Sequence, residues 1–170
     1  MASRMEKELA QLPDETRWAL QRADGYMDLR MHSHARRELG TVAQEDRNNF
    51  AFRHCRLRLA IDEKDWQASR HLANALHGEA PDEPETWIEL AYVARRTDGV
   101  DAARRILSRA LCRFPSLAII PFNLACYECQ LGDIKQARLY LARAFELEPG
   151  YRRLALEDRD LEPLWGELEE

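Results

Sequence analysis

The second half of the chain repeats itself at a fixed interval. Ala103, Ala110 and Pro115 recur 34 residues later as Ala137, Ala144 and Pro149, and Leu90, Ala91 and Leu107 recur as Leu124, Ala125 and Leu141. Small residues at fixed places in two successive helical stretches let the helices approach closely. A proline then closes each unit. A period of this length with this pattern predicts a stacked array of helix–turn–helix units. Arrays of this kind present surface to other proteins and do not usually carry chemistry.

The last full repeat shows its construction. Pro121 stands in the first turn of a helix, where its missing N–H costs nothing. The helix runs to Leu131, and Gly132 ends it, because glycine tolerates the left-handed conformation of a C-cap. Asp133 caps the next helix, with Gln136 at capping-box spacing. Ala137, Leu141 and Ala144 then share one face. In the preceding unit Trp87, Leu90 and Ala91 face inward on the first helix, and Ala103, Leu107 and Ala110 on the second, with Asp98-Gly99 as the turn.

Upstream the pattern continues with weaker spelling. Phe52, Cys55 and Leu59 stand 35 residues before Trp87, Leu90 and Ala94, and Ala35, Leu39 and Val42 stand 33 before Ala68, Leu72 and Ala75. Four units follow, near 16–48, 49–83, 84–117 and 118–151. Residues 1–15 form an N-terminal segment with a frayed helix. Residues 152–170 form a cap, since an array must hide its last hydrophobic face. In that cap Arg152 to Glu157 make a short helix, and Asp160 caps a last one in which Leu161, Leu164, Trp165 and Leu168 pack.

Composition narrows the function. Of 170 residues, 45% are apolar and 32% charged, which suits a helix-rich globular protein, and the net charge of −5 opposes a general nucleic-acid role. No stretch has the form of a signal peptide, and none reaches the ~18 apolar residues of a membrane span. Cys55, Cys112, Cys126 and Cys129 are scattered through helical patterns. They make no small disulfide framework, and a reducing cytoplasm fits them best.

With these residues in place, 16–151 resembles the tetratricopeptide repeat (TPR) family, bacterial type. The strongest lines are Trp87 to Tyr92 followed by Ala103, Leu107, Ala110 and Pro115, and Asn123-Leu124-Ala125 followed by Gly132-Asp133, Ala137, Leu141, Ala144 and Pro149. Two departures fall in the second unit: Arg56 stands where a small residue is expected, and Ala68-Ser69 has no turn glycine nearby. The resemblance implies an all-α fold, a right-handed superhelical array of antiparallel helix pairs with a C-terminal capping helix. It implies a concave groove lined by the first helix of each pair, and a role in protein–protein interaction without catalysis. In that register the groove carries Arg53, Leu57, Ile88, Tyr92, Arg95, Ile119, Phe122 and Cys126. Aromatic and arginine side chains on a rigid groove anchor a peptide or helix. The expected ligand has apolar anchors and one or two acidic side chains, and the competing reading is that the chain's own tail or a neighbouring copy covers this face. One subclass grips a terminal carboxylate with a lysine–asparagine cluster. Here those places hold Leu20, Arg53, Ile88 and Phe122, so that clamp is missing.

Other chemistry has weaker support. Cys126 and Cys129 lie one helical turn apart, which would let them share a metal or cycle with a disulfide. Zinc needs two further ligands, and redox pairs favour a helix N-terminus, whereas this pair lies mid-helix. Packing accounts for both. His32, His34, His54, His71 and His77 do not combine into a ligand set. The sequence therefore predicts a cytoplasmic, non-enzymatic module with a protein or peptide partner, and with no cofactor, metal, nucleic acid or membrane. A small client-specific chaperone, a thiol or metal protein built on Cys126 and Cys129, and a self-associating array are the alternatives.

Overall fold

The computed structural model describes residues 3–168; residues 1–2 of the 1–15 segment and 169–170 of the 152–170 cap lie outside that range. Eleven α-helices and two 3-10 segments account for the fold, with no strand among the described residues. The helices divide between two compact units, Met1–Thr86 and Trp87–Glu170, and the division falls near the start of α6.

In the first unit α1 (Arg4–Gln11) precedes two helix pairs, α2 (Asp14–Asp28) with α3 (His32–Thr41) and α4 (Phe50–Asp62) with α5 (Trp66–Glu79). A 3-10 segment, Gln44–Asn48, links the pairs. The core gathers Ala19, Leu20, Ala23 and Met27 of α2, Ala35 and Leu39 of α3, and Phe52, Cys55 and Leu59 of α4. Helix α4 packs against α1, α2, α3 and α5. It is buried on most sides, through Phe50, Ala51, Phe52, Cys55, Leu57, Leu59 and Ala60, and Arg56 is exposed.

The second unit contains α6 (Pro84–Thr97, shared at its start with the first unit), α7 (Val100–Arg113), α8 (Ile119–Leu131) and α9 (Ile134–Leu147). A tail follows: α10 (Tyr151–Glu157), a 3-10 segment Arg159–Leu164, and α11 (Trp165–Leu168). Trp87 and Ala91, Ala103, Leu107 and Ala110, Leu124 and Ala125, and Ala137, Leu141 and Ala144 share one core with Ala155, Leu161 and Leu164 of the tail.

The N-terminal helix starts in a cap and is bonded to the rest of the first unit. The Ser3 hydroxyl accepts from the Glu6 amide at 3.2 Å and the Glu6 carboxylate accepts from the Ser3 amide at 2.9 Å, which is a complete capping box. Arg4 ties the helix to α5 through Glu79 at 2.5 Å, and its guanidinium lies 5.1 Å from the Phe50 ring centroid. The Asn49 side-chain amide donates to the Glu8 carbonyl at 3.2 Å. The tail also differs from the sequence reading. Asp158, not Asp160, is the cap: it accepts from the Asp160 amide at 3.0 Å and starts a 3-10 segment instead of an α-helix.

The turns preserve a repeat that the residue types conceal. Three pairs close with the same left-handed Schellman geometry, centred on Arg30, Lys64 and Gly132, with φ of 59°, 59° and 84°. In each, the next amide reaches back five residues: Met31 to Tyr26 at 2.8 Å, Asp65 to Ala60 at 2.9 Å, and Asp133 to Glu128 at 2.9 Å. Only Gly132 takes this conformation without a Cβ penalty. We expect Lys64→Gly to stabilise the protein by up to about 1 kcal/mol and Gly132→Ala to destabilise it by about 1 kcal/mol. Urea unfolding of the two variants beside wild type checks the opposite signs.

Candidate functional site

In the second unit the two first helices each present one line of predicted groove residues. Ile88, Tyr92 and Arg95 follow helical spacing along α6, and Ile119, Phe122 and Cys126 do so along α8. Tyr92 is 39% exposed, with the Arg96 guanidinium 4.9 Å from its ring centroid. Ile88 and Ile119 are half-buried against the core.

The rest of this face is covered by the chain's own tail. The Phe122 ring is 7% exposed and packs on Tyr151 with centroids 4.8 Å apart. Cys126 is 3% exposed and its thiol donates to the Asp158 carboxylate at 3.6 Å. Arg95 pairs with Asp160 at 2.6 Å and lies 5.4 Å from the Tyr127 centroid. Leu161 and Leu164 complete the cover by packing, fully buried, in the same core. The indole N–H of Trp165 fastens the segment by donating to the Ala155 carbonyl at 2.9 Å. Phe122 and Cys126 are therefore packing residues, not free groove anchors. The segment over them has the chemistry expected of a ligand here, two apolar anchors and two acidic side chains.

In the first unit Arg53 is half-buried and pairs with Glu79, the carboxylate that also holds Arg4. Leu57 has no exposed surface, because α4 is enclosed by four helices, and it is core, not groove.

A buried carboxylate on α8 was not singled out by sequence reading. Glu128 faces Arg104 at 3.8 Å, and burial pushes its carboxyl above the usual range against the pull of that guanidinium. The signal for it was an acid inside an otherwise apolar helix.

The paired cysteines sit where the thiolate is disfavoured. Burial, followed by the nearby Asp158 and Asp160 carboxylates, pushes the Cys126 thiol up, and burial with Asp160 does the same to Cys129. A reactive thiol needs the opposite environment. Cys55 is also buried and pushed up, by burial and then by Asp24, while Cys112 is exposed. No group of three or more His, Cys, Asp or Glu is poised for a metal among the described residues. In native protein we expect one thiol, Cys112, to react quickly with a disulfide reagent. The other three should react at least ~100-fold more slowly, and all four should react quickly in denaturant. A fast second thiol in native protein would reopen the thiol reading.

No helix among the described residues is long and apolar enough to cross a membrane. No protein-family model matches the chain, and no curated protein matches it in sequence. Solved structures do resemble it. The MamA RS-1 ArsTM double mutant aligns over 81% of this chain and 77% of its own, with 15% identity and a TM-score of 0.66. A crystal structure of MamA aligns over 88% of this chain and 87% of its own, also with 15% identity and a TM-score of 0.66. Likeness at that identity speaks to the fold alone. MamA is TPR-like, and this chain has an all-α helical-repeat fold of the same TPR-like kind.

Proposed function

We propose that the protein is a non-catalytic interaction module that binds a peptide or helix of a partner protein on the α6 face carrying Ile88 and Tyr92, beside Ile119 of α8. One observation carries the proposal. Tyr92 is a large aromatic side chain left exposed on a rigid helix, next to the place where the tail already docks a peptide-like segment. Tyrosine loses little conformational entropy on burial and offers both apolar area and a hydroxyl, which makes it a frequent anchor. The docked tail supports the ligand chemistry: leucines over the face of α8, and a carboxylate on Arg95. The TPR-like fold supports the general role.

Tyr92→Ala should weaken partner binding by about 2 kcal/mol, roughly 30-fold. An exposed position should change stability by no more than about 0.5 kcal/mol. The experiment places a photo-crosslinking amino acid at position 92 in source cells, identifies the captured protein, and titrates it against wild type and Tyr92→Ala. Capture at 92 with equal affinity for both chains would move the binding energy off this face. Capture of a second copy of the chain would turn the proposal into self-association.

A further inference from the structure

The exposed face of α2 carries an inference independent of the Tyr92 face. The turns at Arg30, Lys64 and Gly132 set a 34-residue register along the chain. In that register Trp18 of α2 matches Phe52, Thr86 and Ile120 on the later first helices, and Gly25 matches Leu59, Val93 and Tyr127. All six counterparts are buried, at 6% exposure or less. On α4 and α8 the preceding pair supplies cover. Phe52 and Leu59 share a core with Leu39 and Val42, which precede α4. Ile120 shares a core with Leu107 of α7, and Tyr127 lies 5.4 Å from the Arg95 guanidinium of α6.

The same line on α2 has no preceding pair. Helix α1 packs on α4 and leaves this line open. Trp18 is 56% exposed, and Leu29, one turn beyond Gly25, is 70% exposed. An array end needs a polar outer face or a cover, and this end presents an indole. Gly25 is the second feature that the monomer leaves unexplained. Glycine within a helix is less stable than alanine. Nothing among the described residues requires it here, since a Cβ at 25 would meet no atom within 4 Å. Gly25 stands two turns from Trp18 on the same side of α2, ~10 Å along the helix axis. The face therefore carries a protruding ring and, on the same line, a place with no side chain.

We propose that this face is the interface of a two-fold symmetric dimer, in which the α2 helices of two copies pack antiparallel and each Trp18 ring sits on Gly25 of the other copy. One two-fold axis makes both contacts at once, because ring and gap lie on one line. The missing Cβ lets the ring approach the backbone, and Leu29 extends the apolar strip. Arg22, beside the strip, is bonded to Glu38 at 2.8 Å, so its charge enters the interface with a partner. A second copy supplies both halves of this fit with the same residues, whereas an unrelated helix would have to supply each separately.

Sedimentation equilibrium of the full chain, from micromolar to millimolar concentration, tests the proposal. Wild type should follow a monomer–dimer equilibrium. Trp18→Ala removes the ring and Gly25→Gln fills the gap, and each should weaken the dimer at least ~10-fold. Gly25→Gln separates the interface from folding, because glutamine is the better helix former. That variant should unfold in urea no earlier than dilute wild type and yet dimerise less. Tyr92→Ala should dimerise as wild type does. In a Cys112→Ser background, Gln21→Cys should give a disulfide-linked dimer on oxidation, since this antiparallel crossing brings the two copies of position 21 together. A chain that stays monomeric at millimolar concentration, or a dimer that neither Trp18→Ala nor Gly25→Gln weakens, would overturn the proposal. A photo-crosslinking residue at position 18 that captures only other proteins in source cells would assign the face to a different partner and overturn it as well.

Discussion

Leu161→Ala is expected to cost the second unit about 2–5 kcal/mol, the range for truncating a fully buried leucine. Leu161 has no exposed surface and belongs to one core with α8 and α9. Its segment is short and 3-10, so little intrinsic helix stability resists its release. A loss of this size is a large part of the 5–15 kcal/mol that holds a typical domain together. Urea unfolding should show the change, and Leu154→Ala is the control, because an exposed leucine on α10 should cost no more than about 0.5 kcal/mol. Thiol chemistry then reports where the damage lies. If the segment covers α8, Cys126 becomes reactive in Leu161→Ala under conditions where the protein remains folded. A loss below about 1 kcal/mol with Cys126 still protected would mean that the segment contributes little to covering that face.

The sequence disclosed the array wherever one residue type served one physical need. Alanine is a distinctive choice for close helix approach, so Ala103, Ala110, Ala137 and Ala144 made the period visible, and all four are buried. Gly132 was readable as a helix terminator for a similar reason, since the left-handed conformation favours glycine. Arg30 and Lys64 take that conformation at the matching turns, and nothing in their chemistry announces it. There the neighbouring helices impose the turn and the residue bears the strain. The same limit applies to Asp158 and Asp160. The sequence reading chose Asp160, but Asp158 is the cap and Asp160 pairs with Arg95 of α6.

The candidate site was less legible because burial depends on what lies across a helix, not along it. Spacing placed Leu57, Phe122 and Cys126 on the outward line of their helices, and the structure buries all three. A signal was available. Helix α8 is apolar on nearly all sides, and such a helix is covered on all sides. For α4 the extra cover is α1, and for α8 it is the tail. Read that way, the composition of α8 predicts that the C-terminal segment folds back over it, and Tyr92 is the aromatic of the predicted groove that still faces solvent.

The alanine positions lead to the last expected result, which separates a tolerated arginine from a damaging one. Ala125→Arg should destabilise the second unit by about 3–5 kcal/mol. Ala125 has no exposed surface, like its counterpart Leu57 on α4, and α8 is packed by α7, α9 and the tail segment. A guanidinium there must displace a helix or stay buried without an acidic partner. Arg56 meets neither cost, because it opens into a cleft that solvent reaches. Arg56→Ala, a change at an exposed position, should therefore stay within about 0.5 kcal/mol of wild type. Urea unfolding of both variants decides the point. If both stay within about 1 kcal/mol of wild type, α8 has room that its packing does not show. If they diverge as expected, the cover over each face, and not the residue type in the chain, decides where a first helix tolerates an arginine.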